Sequence, residues 1–501
     1  AMRMKIANVS IERYIYRSVK YCPMTYTPFF PFWRRSLAPR VAAMRAATLC
    51  EMERGFGACV PDSLFPKAHE QQNSRDRIYT RWRTFWCVLW QSLQPDASGR
   101  EVVRQLQALF CLQDGPRISP EDGAYCRARA RLPLAEFSKA LAATARVADQ
   151  RAAPRRALQG RPVKVVDGAT VTLSDTPENR AVYPPLHCPP PNFPLLRLVV
   201  LFSLCSGAVL ALAEGNLHQS ELALFSLLLH NLAKGDIVIG DSGFGSYVVV
   251  ALLQGLGVDF VGRTTRSTDG RRRTKRLGKN DWLMTWIKPA QPSRWLALAQ
   301  WAGLPAALTV RVVRAQVTCR GFRVRQVTVV TTLLEPALYP AEEVLQTYLR
   351  RWRLEMCLDD LKTTLKMDLL RNRSPEMVRQ ELAARLIGHN LVRWTMAQAA
   401  RTHGVELDRI SFKGTLDAVR QFGHALSRAR SRRKRTELWD ELLRTLATDL
   451  VPERPGRREP RAVKRKKNKY PKLSVPRHRF RDRLKSHTRR ANARRRKRGL
   501  K

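Results

Sequence analysis

Acidic residues are scarce in this 501-residue chain: 42 Asp and Glu face 90 Lys and Arg, leaving a net charge of +48. A field of that sign gathers polyanions and directs attention to nucleic acid, although an anionic membrane surface or a structured RNA would meet the same charge. A long apolar run is also missing. The longest, residues 198–213, is broken by Ser206-Gly207 and too short to cross a bilayer with ease, so a buried hairpin is expected there. The opening residues, AMRMKIANVSIERYIYRSVKYC, are basic but lack the uninterrupted apolar stretch of a secretory signal. Ten cysteines are scattered without one C-x-x-C pair, which argues against a zinc ribbon and for free thiols in a reducing cytoplasm. His218-x-x-Glu221 has no second histidine at zinc-protease spacing. GDSGFGS is not followed by the Lys-Ser/Thr of a phosphate-binding loop, so no nucleotide cofactor is expected.

What is present reads as a multi-part globular chain with a hydrophobic share of 44%. Residues 1–60 form an arm of uncertain nature, aromatic, basic and proline-broken. Residues 61–155 read as helical: RWRTFWCVLWQSL has apolar groups at helical spacing, and ISPEDGAYCRARARLP opens like a helix capped by Ser119, with Pro120 first and Asp122 completing a capping box. The arginines at 127, 129 and 131 follow, which suits a small DNA-binding unit as well as a structural cap. From residue 156 to 265 the pattern turns to strands and helices. VKVVDGATVTL is β-branched, LRLVVLFSLCSGAVLALAEGN reads as two strands, and IVIGD and VDFVGRTTR are short buried strands. Between them SELALFSLLLHNLAKGD is expected to be a helix from the Ser220 cap to Gly235, and SYVVVALLQGLG another. Residues 266–335 carry alternating, β-rich segments, 336–400 and 401–450 return to amphipathic helices, and 451–501 form a basic tail. From Arg454 onward that tail holds 23 Lys and Arg against Glu459 and Asp482 alone, and is expected to stay disordered until it meets phosphate. The fold class is therefore α/β, a mixed sheet with flanking helices, a helical N-terminal region and a basic tail.

The most informative segment is TYLRRWRLEMCLDDLKTTLK. On a continuous helix, Tyr348, Arg351, Glu355 and Lys362 fall within an arc of about 60°, while Leu354, Leu358, Leu361 and Leu365 form an adjoining apolar flank. Such a helix packs on one side and presents an acid between two cations and a phenol on the next. That arrangement suits phosphate chemistry, because the acid holds a metal while the cations hold a backbone. Asp359 lies on the same arc and competes with Glu355 for the acid's role. Trp352 faces the same way, as a stacking platform or as part of the core.

The spacing Y-x2-R-x3-E-x6-K resembles the signature of the IS4 family of bacterial DDE transposases. Two further blocks carry the resemblance: VKVVDGATVTLSDTPEN around Asp167 and GDIVIGDSGFGSY around Asp241, with 74 residues between the aspartates and 114 from Asp241 to Glu355. The resemblance implies a ribonuclease H-like core interrupted by a β-rich insertion before the glutamate-bearing helix. It implies Asp167, Asp241 and Glu355 as the catalytic, metal-binding triad, each aspartate at the exit of a strand. The cofactor implied is Mg²⁺ or Mn²⁺, as two ions that flank the reacting oxygens. Tyr348, Arg351, Lys362, Trp352 and Arg263 are implied as DNA-binding residues, and Trp282 and Trp286 of the insertion as candidates for flipping a base. The partners implied are double-stranded DNA, both element ends and target, and a second copy of the chain in a homodimer; localisation is cytoplasmic, at the bacterial nucleoid when DNA-bound. Taken singly, each acid has a plainer reading: Asp167-Gly168 as a turn, Asp241 as a cap, Glu355 as a surface ion pair with Arg351 or Lys362. Rival readings of the whole are a nuclease that cuts without joining, a DNA-binding protein that has lost catalysis, and a basic RNA-binding protein.

Overall fold

A computed structural model of the chain describes residues 78–94, 97–112, 117–152, 158–185, 193–269, 273–316, 326–429 and 431–452, with short pieces at 56, 59–60 and between 475 and 486. Most of the arm 1–60 and of the basic tail lies outside the described residues.

Among the described residues, four helices precede the first strand: α1 (Arg81–Leu93), α2 (Gly99–Leu112), α3 (Gly123–Ala130) and α4 (Leu134–Arg151). The Thr80 hydroxyl caps α1 by accepting from the Arg83 amide at 3.2 Å, and the apolar stripe Phe85, Trp86, Val88 and Leu89 is buried. The expected start of α3 shifts by several residues. Ser119 accepts only from the Glu121 amide, and the helix begins at Gly123 behind Asp122, which makes no side-chain cap. The reason is tertiary: the Asp122 carboxylate is turned against Gly99, the first residue of α2.

The core then runs β1 (Val163–Leu173), α5 (Pro177–Val182), β2 (Leu195–Ser203), β3 (Val209–Asn216), α6 (Glu221–Ser226), β4 (Ile237–Gly240), α7 (Tyr247–Gly255) and β5 (Asp259–Gly262). Ser220 caps α6 as expected, but the helix ends at Ser226 and a short 3₁₀ turn, Leu229–Asn231, follows instead of a helix reaching Gly235. The next segment gives β6 (Arg273–Gly278), β7 (Asp281–Ile287), α8 (Leu298–Ala302), β8 (Ala307–Gln316) and β9 (Gln326–Thr331). The chain closes with α9 (Ala341–Leu349), α10 (Trp352–Asp359), a π-helical turn (Asp360–Thr364), β10 (Leu369–Leu370), α11 (Pro375–His403), α12 (Phe412–Arg428) and α13 (Arg432–Thr448).

Among the described residues, one mixed sheet takes the order β3-β2-β1-β4-β5-β9-β8-β7-β6, with β10 added beside β1. β1, β4 and β5 are parallel and the β2–β3 hairpin is antiparallel, the ribonuclease H-like arrangement. The 266–335 segment does not break this sheet: β9 pairs antiparallel with β5, so the insertion's strands extend it.

Successive residues of β1 face opposite sides, as strand geometry requires. Val165, Ala169, Val171 and Leu173 join the core formed with α1, α4 and α11, while Val166 joins the core beneath α6 and α7. Trp282 and Trp286, candidates for base flipping from the sequence, are 6% and 1% exposed and belong to this second core. Their alternation along β7 with Leu283 and Thr285 points both rings inward, so neither reaches a base without unpacking the sheet.

Candidate active site

Asp167 lies in the middle of β1, not at its exit, opposite Val200 of β2. The Asp-Gly pair is therefore no turn; Gly168 continues the strand opposite Val199. Parallel pairing between β1 and β4 ends at Val165↔Ile239, so two residues further on Asp167 and Asp241 stand level. There β4 stops. Gly240 faces Gly262 across β4 and β5, and the chain turns back with the Asp241 Oδ1 accepting from the Gly243 amide at 2.8 Å. The turn is pinned from the other side by the start of the loop after β5. A methyl on Gly245 would stand 1.8 Å from the Arg263 carbonyl oxygen, and the Thr264 hydroxyl donates to the Gly245 carbonyl at 2.6 Å. Only a residue without a side chain permits that approach, and it brings Arg263 beside the Asp241 turn.

The segment with the Y-R-E-K spacing is not one continuous helix. α9 ends at Leu349, the chain takes a tight turn in which the Arg351 amide donates to the Tyr348 carbonyl at 3.0 Å, and α10 begins at Trp352. Past Asp359 the winding opens into the π turn, which carries Lys362. A single helical wheel therefore misplaces the flanking residues, although Leu354, Leu358, Leu361 and Leu365 are buried as expected, each under a tenth exposed. Tyr348, Arg351 and Glu355 still converge. The Arg351 guanidinium donates from Nη2 to the Glu355 Oε1 at 2.8 Å, stands 3.7 Å from the Asp167 Oδ2 through Nη1, and lies 6.0 Å from the centre of the Tyr348 ring.

The electrostatics tie these groups together. Burial pushes the Asp167 carboxyl up from its ordinary value; the Gly168 amide and Arg351 oppose that shift, while the charges of Asp241 and Glu355 add to it. Burial likewise raises the Tyr348 phenol, against the pull of Arg351 and Arg263. Arg351 loses hydration, yet Tyr348, Glu355 and Asp167 more than offset that and hold it firmly charged. Thus Asp167, Asp241, Glu355, Tyr348, Arg351 and Arg263 share one neighbourhood. Lys362 is half-buried on the π turn, and Trp352 is 57% exposed on α10, so it is not a core residue. Asp359 is exposed and its charge acts on Asp360, not on Asp167.

The donor set is one of hard carboxylate oxygens, the chemistry Mg²⁺ and Mn²⁺ prefer. Among the described residues no three His, Cys, Asp or Glu side chains stand close enough together to grip one ion. The Arg351 guanidinium stands between two of these acids, Asp167 and Glu355, and the donor set suits divalent ions in kind.

Sequence reasoning did not find the contact between Gly245 and Arg263, whose only signal was the glycine spacing of GDSGFGS. It also passed over Asp360, which burial raises to about 7 despite Arg393. No helix among the described residues is long and apolar enough to cross a membrane.

Comparison with known proteins fits this geometry. Residues 158–391 match the family described as "Transposase DDE domain". The chain is 27% identical over 399 residues to transposase InsG for insertion sequence element IS4 of Escherichia coli (strain K12), covering 77% of this chain and 85% of that protein. Among solved structures, the piggyBac transposase synaptic complex with hairpin DNA aligns over 83% of this chain and 86% of its own, at 11% identity and a TM-score of 0.34, too loose a likeness to carry an argument. With its acidic blocks in the order of that family, its ribonuclease H-like sheet and this sequence kinship, the chain is similar to the IS4 transposases over most of its length and carries a match to the transposase DDE domain at its centre.

Proposed function

We propose that this chain is a DDE transposase of the IS4 type that binds the terminal inverted repeats of a mobile element, cuts the DNA at their boundary and joins the freed ends to target DNA. The observation that carries the reading is the Arg351 bridge between Asp167 and Glu355, with Asp241, just past the end of β4, level with Asp167. Asp167, Asp241 and Glu355 are the catalytic and metal-holding acids. Bound to them, two divalent ions would supply charge neutralisation and a more acidic attacking water.

The chain's own residues have definable work in that scheme. Arg351 exchanges its two carboxylate partners for a phosphate beside the scissile bond, where its fork makes two hydrogen bonds at once. Tyr348, its phenol raised by burial, stays protonated at neutral pH and donates to the same backbone. Arg263 and Lys362 hold flanking phosphates, and the exposed Trp352 offers a face for a base. Water attacks the phosphorus and displaces the 3′-oxygen, which leaves as a hydroxyl after taking a proton. That 3′-hydroxyl then attacks a target phosphodiester, forming one P–O bond as another breaks, so no nucleotide is consumed. Residues 61–155 and the basic tail bind DNA, and two copies pair the two ends, since joining both requires them together.

The test uses duplexes carrying the inverted repeats that flank the gene, purified protein, Mg²⁺ and a supercoiled plasmid. Wild type gives cleavage and joined products, and Glu355→Gln abolishes both while still binding the duplex. Cleavage without joining in wild type indicates a nuclease instead. Binding without chemistry in Mg²⁺ and in Mn²⁺ overturns the reading.

A further inference from the structure

A second site lies on the face of the sheet that carries Asp167. A cavity of about 310 Å³ opens between α1, Arg129 of α3, the segment Lys366–Asn372 that follows the π turn, and α11. Four of its lining residues are cationic, Arg129, Lys366, Arg371 and Arg385, against Asp368 and Glu381. Glu381 is already engaged: it accepts from Arg385 at 2.7 Å and from the Asn372 amide. Arg129 is different. It is 7% exposed, its Nη1 donates to the Gln91 Oε1 at 3.3 Å, and its buried Nε has no hydrogen-bond partner among the described residues. Among the described residues no carboxylate pairs with it. A guanidinium taken out of water without a counter-charge is costly to bury, and is best balanced by an anion arriving from outside.

The position says which anion. β10 lies beside Thr172 and Leu173 of β1, five residues beyond Asp167 on the same strand. Five residues of strand span roughly 17 Å, close to the rise of five nucleotides along duplex DNA. Val88 and Ala384, which line the cavity, belong to the core on the Asp167 side of the sheet. Lys366 follows Lys362 by one turn's length of chain, with a left-handed backbone (φ +57°) that redirects the chain toward the cavity.

We propose that this cavity receives a backbone phosphate of the bound DNA, about five nucleotides from the scissile one, with Arg129 as its buried ligand and Lys366 and Arg371 at its mouth. The proposal rests on the transposase reading, and fixes the register of the strand against the acids.

The test is a binding measurement, independent of cleavage. A duplex carrying the flanking inverted repeat is made with one neutral methylphosphonate at a time along each strand, and affinity is measured for wild type, Arg129→Gln, Lys366→Gln and Arg371→Gln. One position near the fifth nucleotide from the cleaved bond is expected to weaken wild-type binding about tenfold, the loss of one charged hydrogen-bonded contact. At that position alone, Arg129→Gln should bind the neutral and charged duplexes equally. Should Arg129→Gln not fold, the two exposed lysine and arginine variants carry the same comparison. Absence of coupling at every position overturns the proposal, even where the protein cleaves and joins its ends. A thermal shift with inorganic phosphate that Arg129→Gln removes, without coupling to DNA, indicates a free-anion site only and also overturns it. Coupling without cleavage leaves the cavity standing and fails the transposase reading instead.

Discussion

Gly245→Ala isolates the loop that holds Asp241. In the native structure the added methyl would stand 1.8 Å from the Arg263 carbonyl oxygen, with the Arg263 carbonyl carbon at 2.9 Å and the Thr264 Cα at 3.1 Å. An ordinary contact needs at least about 3.4 Å, so the loops after β4 and β5 must part by roughly 1.5 Å. All three obstructing atoms are backbone, so no side chain can rotate to absorb the shift. The separation also breaks the Thr264 hydroxyl bond to the Gly245 carbonyl. Overpacking of this kind costs about 1–3 kcal/mol of stability. The catalytic effect should be larger, because a misplacement of about 1 Å at reacting groups costs about a hundredfold in rate. The assay is single-turnover cleavage of end DNA in Mg²⁺ beside thermal melting. The expected result is a fall of about a hundredfold in cleavage with a modest fall in melting temperature. Gly255→Ala, at the end of α7 with open space around its Cα, serves as the control and should leave both unchanged or gain slightly in stability. A Gly245→Ala protein that cuts at the wild-type rate would refute the claim that this contact positions Asp241.

Arg351→Lys keeps a charge but loses the fork that reaches Asp167 and Glu355 together, and cleavage should drop by about tenfold or more while non-specific DNA binding at matched salt changes little. Asp281→Asn leaves the fully buried Arg311 without its two-pronged carboxylate, at 2.6 and 2.8 Å, and should destabilise the chain by about 3–5 kcal/mol in denaturant titration. His389 is held neutral by burial, its value lowered to about 3. Its folded value lies below the unfolded one, so its contribution is present above about pH 6.5 and is lost as pH falls toward 3. Melting of His389→Gln across that window should show a shallower acid limb than wild type. Asp360 has the opposite sign. Its carboxyl is raised to about 7 by burial, so the native state favours its protonated form at low pH and loses that advantage as pH rises through about 7. Asp360→Asn should gain stability relative to wild type at pH 8 and not at pH 4.

How much of this was legible in the chain depended on the range of the interaction concerned. The sequence alone determined the strands and their facing, because a β-branched run such as VKVVDGATVTL has its period of two written in it. It also determined the cap at Ser220, where a hydroxyl meets an amide three residues on. The order of the three acidic blocks, and with it the resemblance to the family, stood in the sequence too. What it could not hold was anything set by a partner distant along the chain. The start of α3 moved because Asp122 turned to Gly99. The helix bearing Tyr348 and Glu355 broke at Arg350–Arg351 and widened past Asp359, which no wheel of constant pitch reveals. The tryptophans of β7 went inward because α7 and the segment from Leu296 to Trp301 pack on that face of the sheet. Tertiary structure alone decided that Asp167 on β1 and Asp241 just past the end of β4, 74 residues apart, stand level, and that Arg351 lies between Asp167 and Glu355. Strand register and electrostatic contact belong to the folded sheet, where separation in space has replaced separation along the chain.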